Sequence, residues 1–208
     1  MGENWVKWHG QYDDPKSPMQ RRLSAVQERL ASALRSLDVE CPRLLSLCAG
    51  DGRDVIPVLA ALPPGRSCRA TLVELSPALV ERARTAADAA GLDVSVLVAD
   101  AGDPNCYATG LPVDVLLLCG IFGNVADDDI HTTIKGAGSL VRRDGWIIWT
   151  RHRRSPDLTP VLRRWFADAG FEEVGFDSPG IGSWSVGTCI NRSARHRTLD
   201  SPLFTFTR

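Results

Sequence analysis

Five short apolar runs, Leu44–Cys48, Ala70–Glu74, Val94–Val98, Val113–Cys119 and Trp146–Thr150, recur along the chain with helical segments between them. Each run is continuous rather than alternating, so the strand it forms needs cover on both faces. A parallel sheet wrapped by helices on either side meets that need, and the pattern predicts a doubly wound α/β fold. Two final runs, Phe171–Asp177 and Trp184–Asn191, are joined by Ser178-Pro179-Gly180-Ile181-Gly182. That link is too short for a crossover helix, so the pair reads as an antiparallel hairpin closing a seven-stranded, mostly parallel sheet.

The helices show the complementary period. Leu23, Val26, Leu30, Ala33, Leu34 and Leu37 recur at three- and four-residue steps and predict an amphipathic helix from Met19 to Leu37. A helical stretch is expected after Gly52 to about Leu62, stopped by Pro63-Pro64-Gly65, and another over Ala78–Ala90 with Ser76 as N-cap and Pro77 at its first position. Ile130–Leu140 follows an acidic start at Asp127 to Asp129, and Leu158–Ala169 ends at Gly170. Ahead of the first helix, Trp5, Trp8, His9 and Tyr12 alternate with turn residues and have no regular period. Residues 1–38 therefore read as an arm and helix forming a lid on one continuous unit, residues 39–208. The Leu203–Thr207 tail fits an edge strand or a packed-down segment equally well.

Composition narrows the function classes. A chain of 208 residues suits one domain with a sizeable core. The net charge of -1 comes without an acidic or basic block, which argues against a nucleic-acid or membrane partner. The longest apolar stretch, Val113–Cys119, falls far short of the roughly 20 residues of a membrane helix, and no apolar run follows basic residues at the start, so a cytoplasmic protein is expected. The 6 cysteines form no C-x-x-C pair and have no histidine at zinc spacing, so no metal is expected and most read as small buried apolar residues.

In a doubly wound sheet, ligands bind beyond the carboxyl ends of the strands where the strand order reverses. The first strand runs there into Gly50-Asp51-Gly52, whose glycines permit positive φ and let a ligand approach the backbone. Glu74 ends the second strand about 20 residues further on, where a carboxylate can accept hydrogen bonds from both hydroxyls of a ribose. Asp100 repeats the arrangement one strand out, suited to the exocyclic amine of an adenine.

With those residues in place, the stretch 40–191 resembles the class I S-adenosylmethionine-dependent methyltransferase family. The resemblance rests on Leu44-Leu45-Ser46-Leu47-Cys48-Ala49-Gly50-Asp51-Gly52-Arg53-Asp54, on Val73-Glu74-Leu75-Ser76-Pro77, on Val98-Ala99-Asp100-Ala101 and on the run ending Leu118-Cys119-Gly120. It implies a Rossmann-like methyltransferase fold, S-adenosylmethionine as cofactor, and a turn at Cys48, Ala49, Gly50, Asp51 and Gly52 that carries it. By similarity Glu74 would hold the ribose, Leu75 pack on the adenine, Asp100 and the Ala101 amide read its edge, and Cys119 and Gly120 line the methionine portion. The family has an acidic residue where Ser46 stands and a glycine where Cys48 stands; the methionine amino group would then fall to the carbonyls of Cys48 or Cys119, or to Asp51 or Asp54. The string around Gly50 and the Cys119-Gly120-Ile121-Phe122-Gly123-Asn124 segment look like a bacterial branch of the family.

Methyl transfer from a sulfonium is an in-line displacement in which positioning contributes most and a base is optional. His152, just past the fifth strand, and His9, in the arm, are the candidate bases; Trp8, Tyr12, Phe122, Asn124 and Arg151 are candidate acceptor contacts. With only an arm and a helix added to the core, a small-molecule acceptor methylated on oxygen or nitrogen is expected. A nicotinamide-dependent oxidoreductase competes, although Val55 stands where a dinucleotide fingerprint needs its third glycine. A non-catalytic protein that binds S-adenosylmethionine is the other alternative.

Overall fold

The computed structural model describes residues 14, 17–180, 183–193, 199 and 202–207. Seven strands, β1 (Arg43–Leu47), β2 (Arg69–Glu74), β3 (Val94–Val98), β4 (Val113–Leu118), β5 (Val141–His152), β6 (Phe171–Asp177) and β7 (Trp184–Asn191), form one sheet in the order β3-β2-β1-β4-β5-β7-β6. β1 through β5 pair in parallel, and β7 runs antiparallel to both β5 and β6. The expected doubly wound sheet with its closing hairpin is the fold observed, and the order reverses between β1 and β4.

Helices cover both faces. α1 (Pro18–Ser36), α2 (Ile56–Ala60) and α3 (Pro77–Ala89) pack on one side through Leu30, Leu34, Ile56, Leu59 and Ala83. α4 (Asp127–Leu140) and α5 (Thr159–Asp168) pack on the other through Ile130, Ile134, Leu162 and Phe166. Alternation along β1 feeds both layers: Leu45 and Leu47 face α4 and α5, and Leu44 faces α1 to α3. α1 starts where the sequence marks it, with the Ser17 hydroxyl accepting the Gln20 amide at 3.0 Å and proline in its first turn. Its buried stripe makes it a layer of the core as well as a cover.

Three elements differ from expectation. The helix after Gly52 is a single short turn, because Cys48, Gly50 and Gly52 all adopt positive φ (57°, 58° and 73°) and the chain becomes helical only at Val55 and Ile56. β5 begins at Val141, directly after α4, rather than at Trp146; Asp144 at φ 62° and Gly145 mark an irregularity within the strand. The tail makes only a one-residue bridge, Phe206 with Val125, while Leu203 and Phe204 sink into the core. Of the cysteines, Cys68 and Cys189 are buried, Cys41 is exposed and the other three are half-buried. No helix among the described residues is long and apolar enough to cross a membrane.

Candidate functional site

The carboxyl ends of β1, β2, β3, β4 and β5 open into a cavity of about 1050 Å³, at the upper end of the range for small-molecule sites. Its floor is built by the β1 turn. The Ala49 amide donates to the Val73 carbonyl at 3.0 Å, and the Ile56 amide returns to the Gly52 carbonyl at 2.8 Å, so the turn is locked before the chain leaves it. Cys48 takes the left-handed conformation that a glycine would hold without strain, and its side chain lines the cavity. Burial, reinforced by Glu74 and Asp100, pushes the Cys48 thiol well above its usual range, so it stays a neutral thiol.

Glu74, at the end of β2, is held by both oxygens. The Gly50 amide donates to Oε2 at 3.0 Å and the Ser76 amide to Oε1 at 2.8 Å. Each oxygen keeps a further lone pair for a ligand hydroxyl. Beside it Leu75 is 67% exposed, an apolar surface at the cavity mouth without a protein partner to match its size. Asp100, at the end of β3, accepts the Gly102 amide on Oδ1 at 2.9 Å, and Ala101 is fixed by the Tyr107 hydroxyl donating to its carbonyl at 3.1 Å.

At β4 the Gly120 amide donates to Thr150 Oγ1 at 2.9 Å, and the Asn124 side-chain amide donates to the Gly120 carbonyl at 2.7 Å. Asn124 thus lines the cavity while supporting the loop that shapes it. Asp54 faces the same region from the β1 turn; its Oδ1 is buried without a hydrogen-bond partner, and burial pushes its pKa from 3.8 up to about 6. Cys119 is driven above the thiol range by burial and by Asp54. Ser46, at the position where the family carries an acid, is fully buried, and its hydroxyl has no partner.

Cys48, Ala49, Gly50, Asp54, Glu74, Leu75, Asp100, Ala101, Cys119, Gly120, Asn124, Arg151 and His152 therefore share one cavity wall. Three expected contacts lie elsewhere. Asp51 turns away to chelate the Arg53 guanidinium at 2.5–3.1 Å. Gly52 is buried against Ile56, whose Cδ1 would stand 2.6 Å from an added Cβ, so its role is to admit that side chain. Phe122 is fully buried among Trp149 and Phe166, with ring centroids 6.3 Å away in both cases; it is core, because the loop folds its aromatic inward beneath Gly123. His9, Trp8 and Tyr12 lie outside the described residues.

Sequence reasoning missed Arg22 and Leu23 of α1, Thr150, and Ser183 and Trp184 at the start of β7, all of which line the cavity. Trp184 had a usable signal. The hairpin places it opposite His152, so recognising the hairpin puts both on the same rim.

Residues 44–145 match the family model described as a methyltransferase domain. No curated protein sequence matches the chain. Among solved structures, the chain is similar to an O-methyltransferase family protein from Burkholderia thailandensis (TM-score 0.65, 19% identity), covering 85% of this chain and 57% of that one. It is also similar to fibrillarin from Aeropyrum pernix, solved with natively bound S-adenosyl-L-methionine (TM-score 0.57, 19% identity, 78% and 74% covered). A protein from Pyrococcus horikoshii OT3 is matched over its whole length (TM-score 0.63, 13% identity, 92% and 100% covered). The chain thus spans little more than half of the Burkholderia protein and all of the Pyrococcus one.

Proposed function

We propose that the chain is a class I S-adenosylmethionine-dependent methyltransferase that binds S-adenosylmethionine in this cavity and methylates an oxygen or nitrogen of a small acceptor, a reading supported by the methyltransferase-domain match over residues 44–145. The observation that carries the reading is Glu74, presented by the Gly50 and Ser76 amides at the switch point with Asp100 one strand further out. Val55, buried and apolar where a dinucleotide-binding turn needs glycine, weighs against the nicotinamide alternative.

The residues present fit the cofactor. Glu74 would accept from the ribose hydroxyls, Leu75 would cover the adenine, and Asp100 would take its amine. Asp54, a buried carboxyl with an unpartnered oxygen on the methionine side, would receive the amino group that the acid missing at Ser46 cannot. When bound, the cofactor would supply an electrophilic methyl group to the acceptor's lone pair, its sulfur keeping the electron pair of the carbon–sulfur bond. Thr150 and Asn124 hold the Gly120 loop, fixing the wall along which acceptor and methyl must align. His152, which ends β5 and lines the cavity, would take the proton that a hydroxyl or amine acceptor loses.

The test is calorimetric titration with S-adenosylhomocysteine and NAD. The expected result is binding of the adenosyl ligand alone, weakened about tenfold or more by Glu74→Gln and by Asp100→Asn, as loss of a charge-assisted hydrogen bond requires. Preference for NAD, or indifference to both substitutions, would overturn it; adenosyl binding without turnover on any acceptor would favour the non-catalytic alternative.

A further inference from the structure

The cavity is electrically divided. Its acids are Asp54 in the turn after β1 and Glu74 and Asp100 at the ends of β2 and β3, where the cofactor reading places the adenosyl and methionine groups. Its other half, at the end of β5 and the loop after it, is lined by Arg151, His152 and Arg154 and by no acid, while Arg22 of α1 lies within electrostatic reach of Asp54. Arg53, between the halves, is neutralised by Asp51.

Arg151 is the unusual member. It is only 8% exposed, its Nε is buried without a hydrogen-bond partner, and among the described residues its guanidinium makes no ion pair. Burial pulls its pKa down; Asp127 and Asp157 push the other way through space only. Its neighbour Arg153 shows what a structural arginine looks like here, bonded to Asp157 at 2.9 Å and to Ser178 at 3.2 Å. Leaving a guanidinium nitrogen desolvated and the charge unpaired is costly, and a fold that needed only packing would place an apolar residue there.

We infer that the methyl acceptor is a compact carboxylic acid whose carboxylate docks on Arg151. This rests on the methyltransferase reading above and names the substrate class for it. A carboxylate supplies both things Arg151 lacks, an opposite charge and planar lone pairs matched to the guanidinium fork. The opposite polarity of the two halves also sorts the ligands: a cationic sulfonium and ammonium are drawn to the acids, and an anion to the arginines.

The experiment uses the full chain saturated with S-adenosylhomocysteine. Salicylate, anthranilate and lactate are titrated against their matched carboxamides, in the native protein and in Arg151→Gln. At least one acid is expected to bind where its amide does not, and Arg151→Gln to weaken it about thirtyfold or more, the usual loss when a buried charge partner is removed. Affinity for S-adenosylhomocysteine should stay within about twofold in this variant, since Arg151 lies at the end of β5 away from the acids that hold it. A second variant, Arg151→Met, is expected to melt higher than the native protein without ligand while losing the acid, because it removes an uncompensated charge. Amides binding as well as acids, no acid binding at all, or an Arg151→Met protein that melts lower would each overturn the inference. Failure of S-adenosylhomocysteine to bind would instead sink the cofactor reading, which the first titration detects separately.

Discussion

Asp54 concentrates in one side chain the conflict between folding and binding. Its carboxyl is buried with Oδ1 unpartnered, and its pKa rises from 3.8 to about 6. Burial is the main cause and Asp51 adds to it; its own backbone amide, Arg22 of α1 and Arg53 act in the opposite sense, while Cys119 across the cavity remains a neutral thiol. A carboxyl whose folded pKa lies above its unfolded value binds its proton more tightly in the folded state. Its penalty is therefore absent below about pH 3.8 and complete above about pH 6. Asp54→Asn should stabilise the unliganded protein on the order of 3 kcal/mol at pH 8 and hardly at all at pH 4, read by urea unfolding at the two pH values. Binding carries the opposite sign, because an ammonium group needs the carboxylate. Native affinity for S-adenosylhomocysteine should fall as pH drops through about 6, whereas the Asn variant binds weakly with a flat profile. Parallel profiles for the two proteins would remove Asp54 from the site.

Among the elements, the C-terminal tail shows most clearly what a sequence carries and what it leaves to the tertiary structure. The Leu203 amide donates to the Gly102 carbonyl at 2.7 Å, Thr133 Oγ1 donates to the Leu203 carbonyl at 3.0 Å, and the Thr207 amide reaches the Asn124 carbonyl at 2.9 Å. Phe204 is 2% exposed, and its carbonyl lies so close to Gly102 that no side chain fits there. Phe204→Ala should cost about 3–5 kcal/mol in chemical denaturation, as for other buried aromatics, and a loss under about 1 kcal/mol would mean the tail is not anchored by that ring. None of those partners lies near the tail in sequence, which is why residues 203–207 alone left strand and packed coil equally open. β1 to β4 were legible for the converse reason: their apolar runs need two-sided cover wherever they sit, and Glu74 and Asp100 end them. The start of β5 was hidden because Arg142, Arg143, Asp144 and Gly145 have the composition of a turn, yet Val141 already pairs with Val113. Arg22 and Trp184 were hidden because their place in the cavity depends on how α1 and the hairpin cross the rim, a long-range outcome with no local period.

At the scale of the whole molecule the question is whether α1 is a detachable cover or part of the body. Its first turn roofs the cavity through Pro18, Met19 and Leu23, as a lid would. Its inner stripe, however, buries Val26, Leu30, Ala33 and Leu34 at 0–2% exposure where the helix packs against β5, β7 and α2. Polar contacts tie it at both ends: Gln27 Nε2 donates to the Arg53 carbonyl at 2.7 Å, Arg66 donates to the Leu34 carbonyl at 2.8 Å, and Arg29 grips Asp177 of β6 at 2.6 and 2.8 Å. Gly175 keeps that grip open, since an added Cβ would stand 2.5 Å from the Arg29 guanidinium. The ion pair is about one-third exposed on each side, so Arg29→Met should cost no more than about 1 kcal/mol and a few degrees of melting temperature. The apolar stripe decides the larger issue: large aliphatic side chains buried at about 1.5–3 kcal/mol each amount to most of a domain's typical net stability of about 5–15 kcal/mol. A chain lacking residues 1–37 is therefore expected to lose its cooperative thermal transition and to expose apolar surface, seen as dye binding with no sharp melt. A truncated chain that melts cooperatively within a few degrees of the native protein would show instead that α1 only covers the site, and that the remaining layers close the core without it.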